Sequence, residues 1–364
     1  MGRLLGIFMI LWLSVQSLYG FGEEKHFFQL IRELHGKIVK EEKRGDLLYF
    51  DRKYLIQIPL EENSSALVEV NLRHARLPIG EGKVWGKVVE LKIGDKVYRN
   101  IFKFKGESKD FKKIEYMIEP TSFSHWTFPK GWGYLQLGKK VTGILNYSFL
   151  QYRDKDTSFR GNYLRIEFEV NNGRIKKLIT IGTGVGRKGE VRFKGDSFNL
   201  FSLIEGRKAQ LRIFVKKLVL MDNRSKIQIN RIQLGANIVG KREYPFILTR
   251  KALGEMSYQL ASSGRAEEII VDGMPMGYLQ FQLSLLLPVN EGIATILRRG
   301  WSEKDSLNLQ IEGSERVLKG LSAVFKNPVT AFLWDNLQRR GDRYGVQFSV
   351  NRGEVSINGK RTLP

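Results

Sequence analysis

The sequence predicts a mainly β protein with a few helices: a long curved antiparallel sheet, with an N-terminal amphipathic helix and a C-terminal helix plus hairpin packing on it. Three observations predict this. Apolar and polar residues alternate with period two in run after run between residues 46 and 287, the pattern of a sheet with one face on a core and the other in water. Turn-forming clusters interrupt those runs at short intervals, among them Gly80-Glu-Gly82, Gly94-Asp95, Asn171-Asn-Gly173, Asp222-Asn223 and Asp272-Gly273. No long stretch of helical period separates the runs, which argues against an α/β fold. The 364 residues are 42% hydrophobic and 11% aromatic, which excludes a disordered chain and gives enough apolar surface for a core.

Taken in order, Arg3 precedes an apolar run from Leu4 to Val15, followed by polar Gln16 and Ser17. A basic start, an apolar stretch of about a dozen residues and small residues downstream form an export signal. Two forms stand: a signal peptide over 1–17, or an uncleaved anchor reaching about residue 21. Residues 23–44 then predict an amphipathic helix, because Phe27, Ile31, Leu34 and Ile38 recur at the helical period. A β body spans 45–287. Its clearest strands carry Val68, Val70 and Leu72; Leu164, Ile166, Phe168 and Val170; Leu211, Ile213 and Val215; and Leu279, Phe281, Leu283 and Leu285, each set on one face. Between Ile229 and Ile232 the alternation slips by one, which predicts a bulge.

The segment 288–364 is helical and then β. A short helix is expected over 290–299, a strand over 306–311, and a helix from Glu315 to Gln338 with a kink at Pro328. Tyr344, Val346, Phe348 and Val350 then alternate, Asn351-Arg-Gly353 turns, and Val355 and Ile357 return as a hairpin.

Composition narrows the chemistry. With no cysteine there is no disulfide and no thiol nucleophile, and four histidines (His26, His35, His74, His125) supply a metal centre poorly. No cofactor is expected. Gly184-Val-Gly-Arg-Lys-Gly189 is a literal GxGxxG, but Glu190-Val-Arg-Phe-Lys194 behind it alternates as a strand rather than opening the helix a dinucleotide needs. A hairpin turn is expected there. Glu267 and Glu268 are adjacent, so a strand sends them to opposite faces, and no acid/base pair stands out. The three Asn-x-Ser sequons, at Asn63, Asn146 and Asn223, matter only in a glycosylating host.

Two segments are candidate binding regions. Trp126, Phe128, Trp132 and Tyr134 form the densest aromatic stretch, suited either to ligand stacking or to packing back on the sheet. Lys103, Lys105, Lys109, Lys112 and Lys113 form the densest lysine run in a chain of net charge +22. Behind an export signal that charge points to an anionic envelope surface rather than to nucleic acid, with solvated surface charge as the plainer reading.

The C-terminal segment Leu333-Trp-Asp-Asn-Leu-Gln-Arg-Arg-Gly341-Asp-Arg-Tyr344, followed by Gly353-Glu-Val-Ser-Ile-Asn-Gly-Lys360, resembles the end of YdgA-like bacterial envelope proteins, a family whose domain has no assigned function. The resemblance covers about 30 residues. It implies a membrane-targeted N-terminus and a β-rich periplasmic body, and it transfers no catalytic residue. Gly353, Asn358 and Gly359 are expected at turns, since Gly and Asn tolerate positive φ. The functional expectation is a non-enzymatic envelope protein that binds lipid or another amphiphile on an apolar sheet face. The alternatives are a protein-interaction module of the envelope and a cell-wall glycan-acting enzyme using the 123–134 segment.

Overall fold

A computed structural model describes residues 31, 36–45, 49–61, 64–75, 82–108, 113–136, 140–171, 174–244, 250–289, 291–293, 302–324, 335–341 and 343–362. The protein is mainly β, built of curved antiparallel sheet with two short helices among the described residues. The chain divides into two compact units.

The first unit holds β1 (Lys37–Gly45), β2 (Tyr49–Glu61), β3 (Ser64–Ala75), β4 (Gly82–Ile93), β5 (Lys96–Ser108), β6 (Lys113–Ile118), β7 (Thr121–Phe123), β8 (Trp126–Phe128), β9 (Gly131–Gln136), β10 (Val141–Tyr147) and β11 (Leu150–Arg153). The unit boundary falls within β12 (Thr157–Gly161), β13 (Leu164–Asn171) belongs to the first unit, and β14 (Arg174–Lys188) is again divided. The antiparallel ladder runs β1–β2–β3–β4–β5–β6–β9–β10–β13, with β7–β8 a tight hairpin and β11 beside β8. Alternation chooses one face for the core: Tyr54, Ile56, Val68, Val70, Val88, Leu91, Leu135 and Leu145 are all buried. The intervening Lys, Glu and Asn residues face water, as the alternation requires.

Residues 37–44 correct the helix expected over 23–44: they form β1, paired with β2 from Lys37↔Gln57 to Gly45↔Phe50. Ile31 is helical, and the Gly36 amide donates to the Ile31 carbonyl at 2.7 Å, a helix-closing bond. β-branched Ile38 and Val39 follow directly and are better placed in a strand, where the hydrogen-bonding edge of β2 is available. The signal segment and the rest of 23–36 lie outside the described residues. No helix among the described residues is long and apolar enough to cross a membrane.

The second unit is a meander of long strands: β15 (Val191–Glu205), β16 (Lys208–Met221), β17 (Lys226–Gly240), then α1 (Arg250–Met256), β18 (Ser257–Val271), β19 (Met274–Leu286) and β20 (Ser306–Gly313). After α2 (Glu315–Val324) come β21 (Gln338–Arg340), β22 (Arg343–Asn351), β23 (Glu354–Ile357) and β24 (Lys360–Thr362). The ladder runs β15–β16–β17–β18–β19–β20–β22, with β21 and β23 on the far side of β22 and β24 beside β23. Gln338, expected at the end of a helix, opens β21 because it pairs with Gly345. The 290–299 helix and the Pro328 kink lie outside the described residues, apart from 291–293.

The GxGxxG segment is strand and hairpin turn. An added Cβ at Gly184 would lie 2.7 Å from the Phe159 ring, and one at Gly186 would lie 2.3 Å from the Phe193 ring, so both glycines let aromatics close over the strand. Gly189 turns with φ +59°. The C-terminal turns match their residues too. Arg352-Gly353 (φ 52° and 77°) and Asn358-Gly359 (φ 51° and 78°) each place two consecutive residues at positive φ, the geometry that fits the twist of a two-residue hairpin.

The slip between Ile229 and Ile232 belongs to a crease across four strands. Asp196-Ser197, Lys216-Lys217, Asn230-Arg231 and Glu267-Glu268 lie side by side, and on each strand the apolar residues change parity across the doublet. The backbone turns left-handed at Ser197 and Arg231, both at φ 51°. The β15–β16, β16–β17 and β17–β18 registers keep one offset across the crease, which corrects the bulge expected in β17, whereas the β18–β19 register shifts between Ala266 and Ile269, at the fourth doublet.

Candidate amphiphile-binding face

Strand registers in the second unit assemble residues far apart in sequence into rows. One row reads Leu200, Ile213, Leu234, Gly264, Phe281, Ile311, Val346; the next reads Ser202, Leu211, Ala236, Ser262, Leu283, Leu309, Phe348. Across seven strands about 4.8 Å apart they make an apolar band about 29 Å long. Gly264 gives the band its relief: an added Cβ there would lie 2.2 Å from the Phe281 ring and 2.7 Å from Leu234, so these two side chains close over β18 from either side.

The two ends of this face are covered. Leu318 of α2, fully buried, seats over Gly313 and Leu279. At the other end Ile204, Ala209, Ile238, Leu285 and Val350 are buried. There Tyr244 folds over Gly240 with its hydroxyl 2.6 Å from Ser257 Oγ. Between these ends Leu200, Ile213, Phe281, Leu283 and Leu309 are half-buried and Leu234 is 38% exposed. Large apolar side chains left partly bare in a contiguous band mark a binding surface more often than chance.

The opposite face is polar, with Arg212 and Arg265 among its amides and hydroxyls. Gln210, Asn237, Ser263, Gln282, Ser284, Asn308 and Gln310 line two adjoining shallow hollows of about 410 and 490 Å³. Gln210 Nε2 donates to Asn237 Oδ1 at 3.0 Å, and Arg212 and Arg265 lie at the end nearer Phe201 and Phe214. The same strands bring Leu211, Ile213, Leu234, Phe281 and Leu283 of the band to the walls of these hollows.

The aromatic segment does not act as one unit. Phe128 is 1% exposed and joins Phe102, Phe123 and Tyr147 in the core of the first unit. Trp126 stacks on Phe128 and lies 4.9 Å from Tyr152. Trp132 is 48% exposed, and Tyr134 lies under the Lys113 ammonium at 5.2 Å. His125 contacts the Tyr152 ring edge-on, with its Nδ1 4.0 Å from Asp154.

The glycan-acting expectation needs an acid/base pair beside this segment. Glu115, opposite Tyr134, is bound by Lys113 at 2.9 Å. That hydrogen bond holds its carboxyl below the usual range, the wrong direction for a general acid. Glu267 pairs with Arg231 at 2.6 Å and Glu268 accepts from Asn230 at 2.6 Å, so each is engaged in the crease. No group of three His, Asp or Glu side chains able to hold a metal occurs among the described residues.

Of the lysine run, Lys103 and Lys105 are exposed on β5 and Lys113 opens β6, while Lys109 and Lys112 lie outside the described residues. Gly353, Asn358 and Gly359 sit in the C-terminal turns. There the Asn358 side chain accepts from the Gln347 amide at 3.0 Å and donates to the Asn336 carbonyl at 2.6 Å. No protein-family model, curated protein or solved structure matches the chain.

Proposed function

We propose that the protein is an exported cell-envelope binding protein that holds an acyl chain or another amphiphile against the apolar band of its second unit. The observation that carries the reading is the half-bare band itself, covered at both ends and open at Leu234, Phe281 and Leu283. Each methylene moved from water onto such a surface contributes about 0.8 kcal/mol, so ten methylenes supply roughly 8 kcal/mol before the cost of ordering the chain. Export rests on the N-terminal sequence pattern, and the high positive charge suits an envelope rich in anionic lipid. The test is native mass spectrometry of protein taken from its own envelope, paired with titration by a fluorescent fatty acid. Co-purifying lipid and saturable binding support the reading; repeatedly apo protein that also fails to bind the probe removes it.

A second reading is favoured by the two polar hollows. Their amides and hydroxyls suit a polyhydroxylated ligand such as a neutral oligosaccharide. Such binding would be insensitive to salt and lost in Gln282→Ala with Asn237→Ala, while fatty-acid binding stayed intact. Calorimetric titration with a neutral oligosaccharide checks it.

A further inference from the structure

We infer that the outer face of the first unit docks on an anionic lipid membrane with Trp85 as its anchor. The β4 alternation turns Val84 and Val88 inward, at 3% and 0% exposure, and Trp85 outward, at 39%. The ladder then lines up Trp85↔Lys105↔Met117↔Trp132 across β4, β5, β6 and β9. Met117 and Trp132 are 36% and 48% exposed. Three aligned side chains, two of them indole rings, therefore face water over about 14 Å of sheet.

The charge around them is rich in lysine but mixed, with Glu107 two residues from Lys105, Glu115 two residues from Met117, and Glu69 opposite Lys87. Lys83 and Lys87 stand two residues either side of Trp85 on its own strand face, and Lys105 stands directly opposite. Lys103 follows on the exposed face of β5. Lys83 faces Glu107 across the ladder without a described ion pair. The other acids of the adjoining row are engaged: Asp51 by Arg73 at 2.7 Å, Glu115 by Lys113 at 2.9 Å and Glu167 by Arg165 at 2.7 Å. An indole prefers the boundary between headgroups and acyl chains, and surrounding ammonium groups pair with lipid phosphates there. Trp85 ringed by lysines is complementary to that boundary in both polarity and charge.

This inference concerns a different unit and face from the amphiphile-binding band, and its test is independent. Full-length protein is mixed with vesicles of phosphatidylglycerol and phosphatidylcholine, and separately with pure phosphatidylcholine. Binding is read by co-sedimentation, and insertion by quenching of tryptophan fluorescence with tail-brominated lipid. The expected result is binding to the anionic vesicles that weakens with salt, with quenching. Trp85→Ala with Trp132→Ala should lower that binding at least tenfold and remove most of the quenching. Lys83→Gln with Lys105→Gln should lower binding several-fold, and serves if the tryptophan variant fails to fold. Lys208→Gln, an exposed lysine of the other unit, should bind vesicles as the wild type does. Wild-type binding by the folded tryptophan variant, or a wild-type protein whose tryptophans respond to a single-stranded oligonucleotide but not to brominated lipid, would overturn the inference.

Discussion

Leu234→Glu separates a half-bare apolar band from one closed by other parts of the chain. Leu234 is 38% exposed, and its side chain and the Phe281 ring both close over Gly264. Fully burying a leucine contributes about 1.5–3 kcal/mol; with roughly three-fifths of the side chain buried, about 1–2 kcal/mol is at stake. Leu318→Ala is the internal standard. Leu318 is 0% exposed under α2, and a cavity at such a site costs about 2–5 kcal/mol. Urea unfolding should therefore show Leu234→Glu losing about 1–2 kcal/mol with an unchanged m value, clearly less than Leu318→Ala. Fatty-acid affinity should fall at least tenfold in Leu234→Glu, because the new carboxylate must lose water beneath an acyl chain. If Leu234→Glu costs as much as Leu318→Ala, the band is a closed core and the reasoning fails.

Other predictions concern single residues. Lys177 is 6% exposed, and burial holds its pKa down to about 7 against 10.5. Between those values the unfolded chain binds a proton that the folded chain does not, so stability should rise with pH across that window. Below it both states are charged and the burial penalty is fully present. Lys177→Met should flatten this dependence and raise stability at pH 7, read by denaturant melts across the window. Asn358→Ala removes two side-chain hydrogen bonds and leaves a residue at φ 51° without its polar compensation, so about 2–3 kcal/mol should be lost. Asn358→Gly keeps the backbone geometry and should lose less, which thermal melts of the two variants can compare. The Tyr278 hydroxyl is buried with no partner among the described residues, so Tyr278→Phe should be neutral or slightly stabilising in the same melts.

The strands were legible because alternation is a local property: Leu164 to Val170 and Leu279 to Leu285 form strands where the pattern places them. Residues 37–44 misled because Ile31, Leu34 and Ile38 keep a helical spacing past Gly36. What decides their state is the neighbouring strand β2, which no local window contains. The crease could be read at one point only, Ile229 to Ile232. Its other doublets, such as Lys216-Lys217 and Glu267-Glu268, gain meaning once the registers set them side by side. The same holds for binding surfaces. Closeness in sequence made Trp126 to Tyr134 look like a cluster, yet the strands and turn between them send Phe128 inward and Trp132 outward. Trp85 is isolated in sequence and draws attention only beside its cross-strand neighbours Lys105 and, beyond it, Met117 and Trp132.

The amphiphile-binding claim is tested most directly by photocrosslinking a diazirine-bearing fatty acid to the full-length protein and mapping the labelled residues by peptide mass spectrometry. The account predicts labels on Leu234, Phe281, Leu283 and their row neighbours, displaced by unlabelled fatty acid and lost in Leu234→Glu. Labels confined to Gln282, Ser263 and the rest of the polar face, or no displaceable labelling at all, would contradict it.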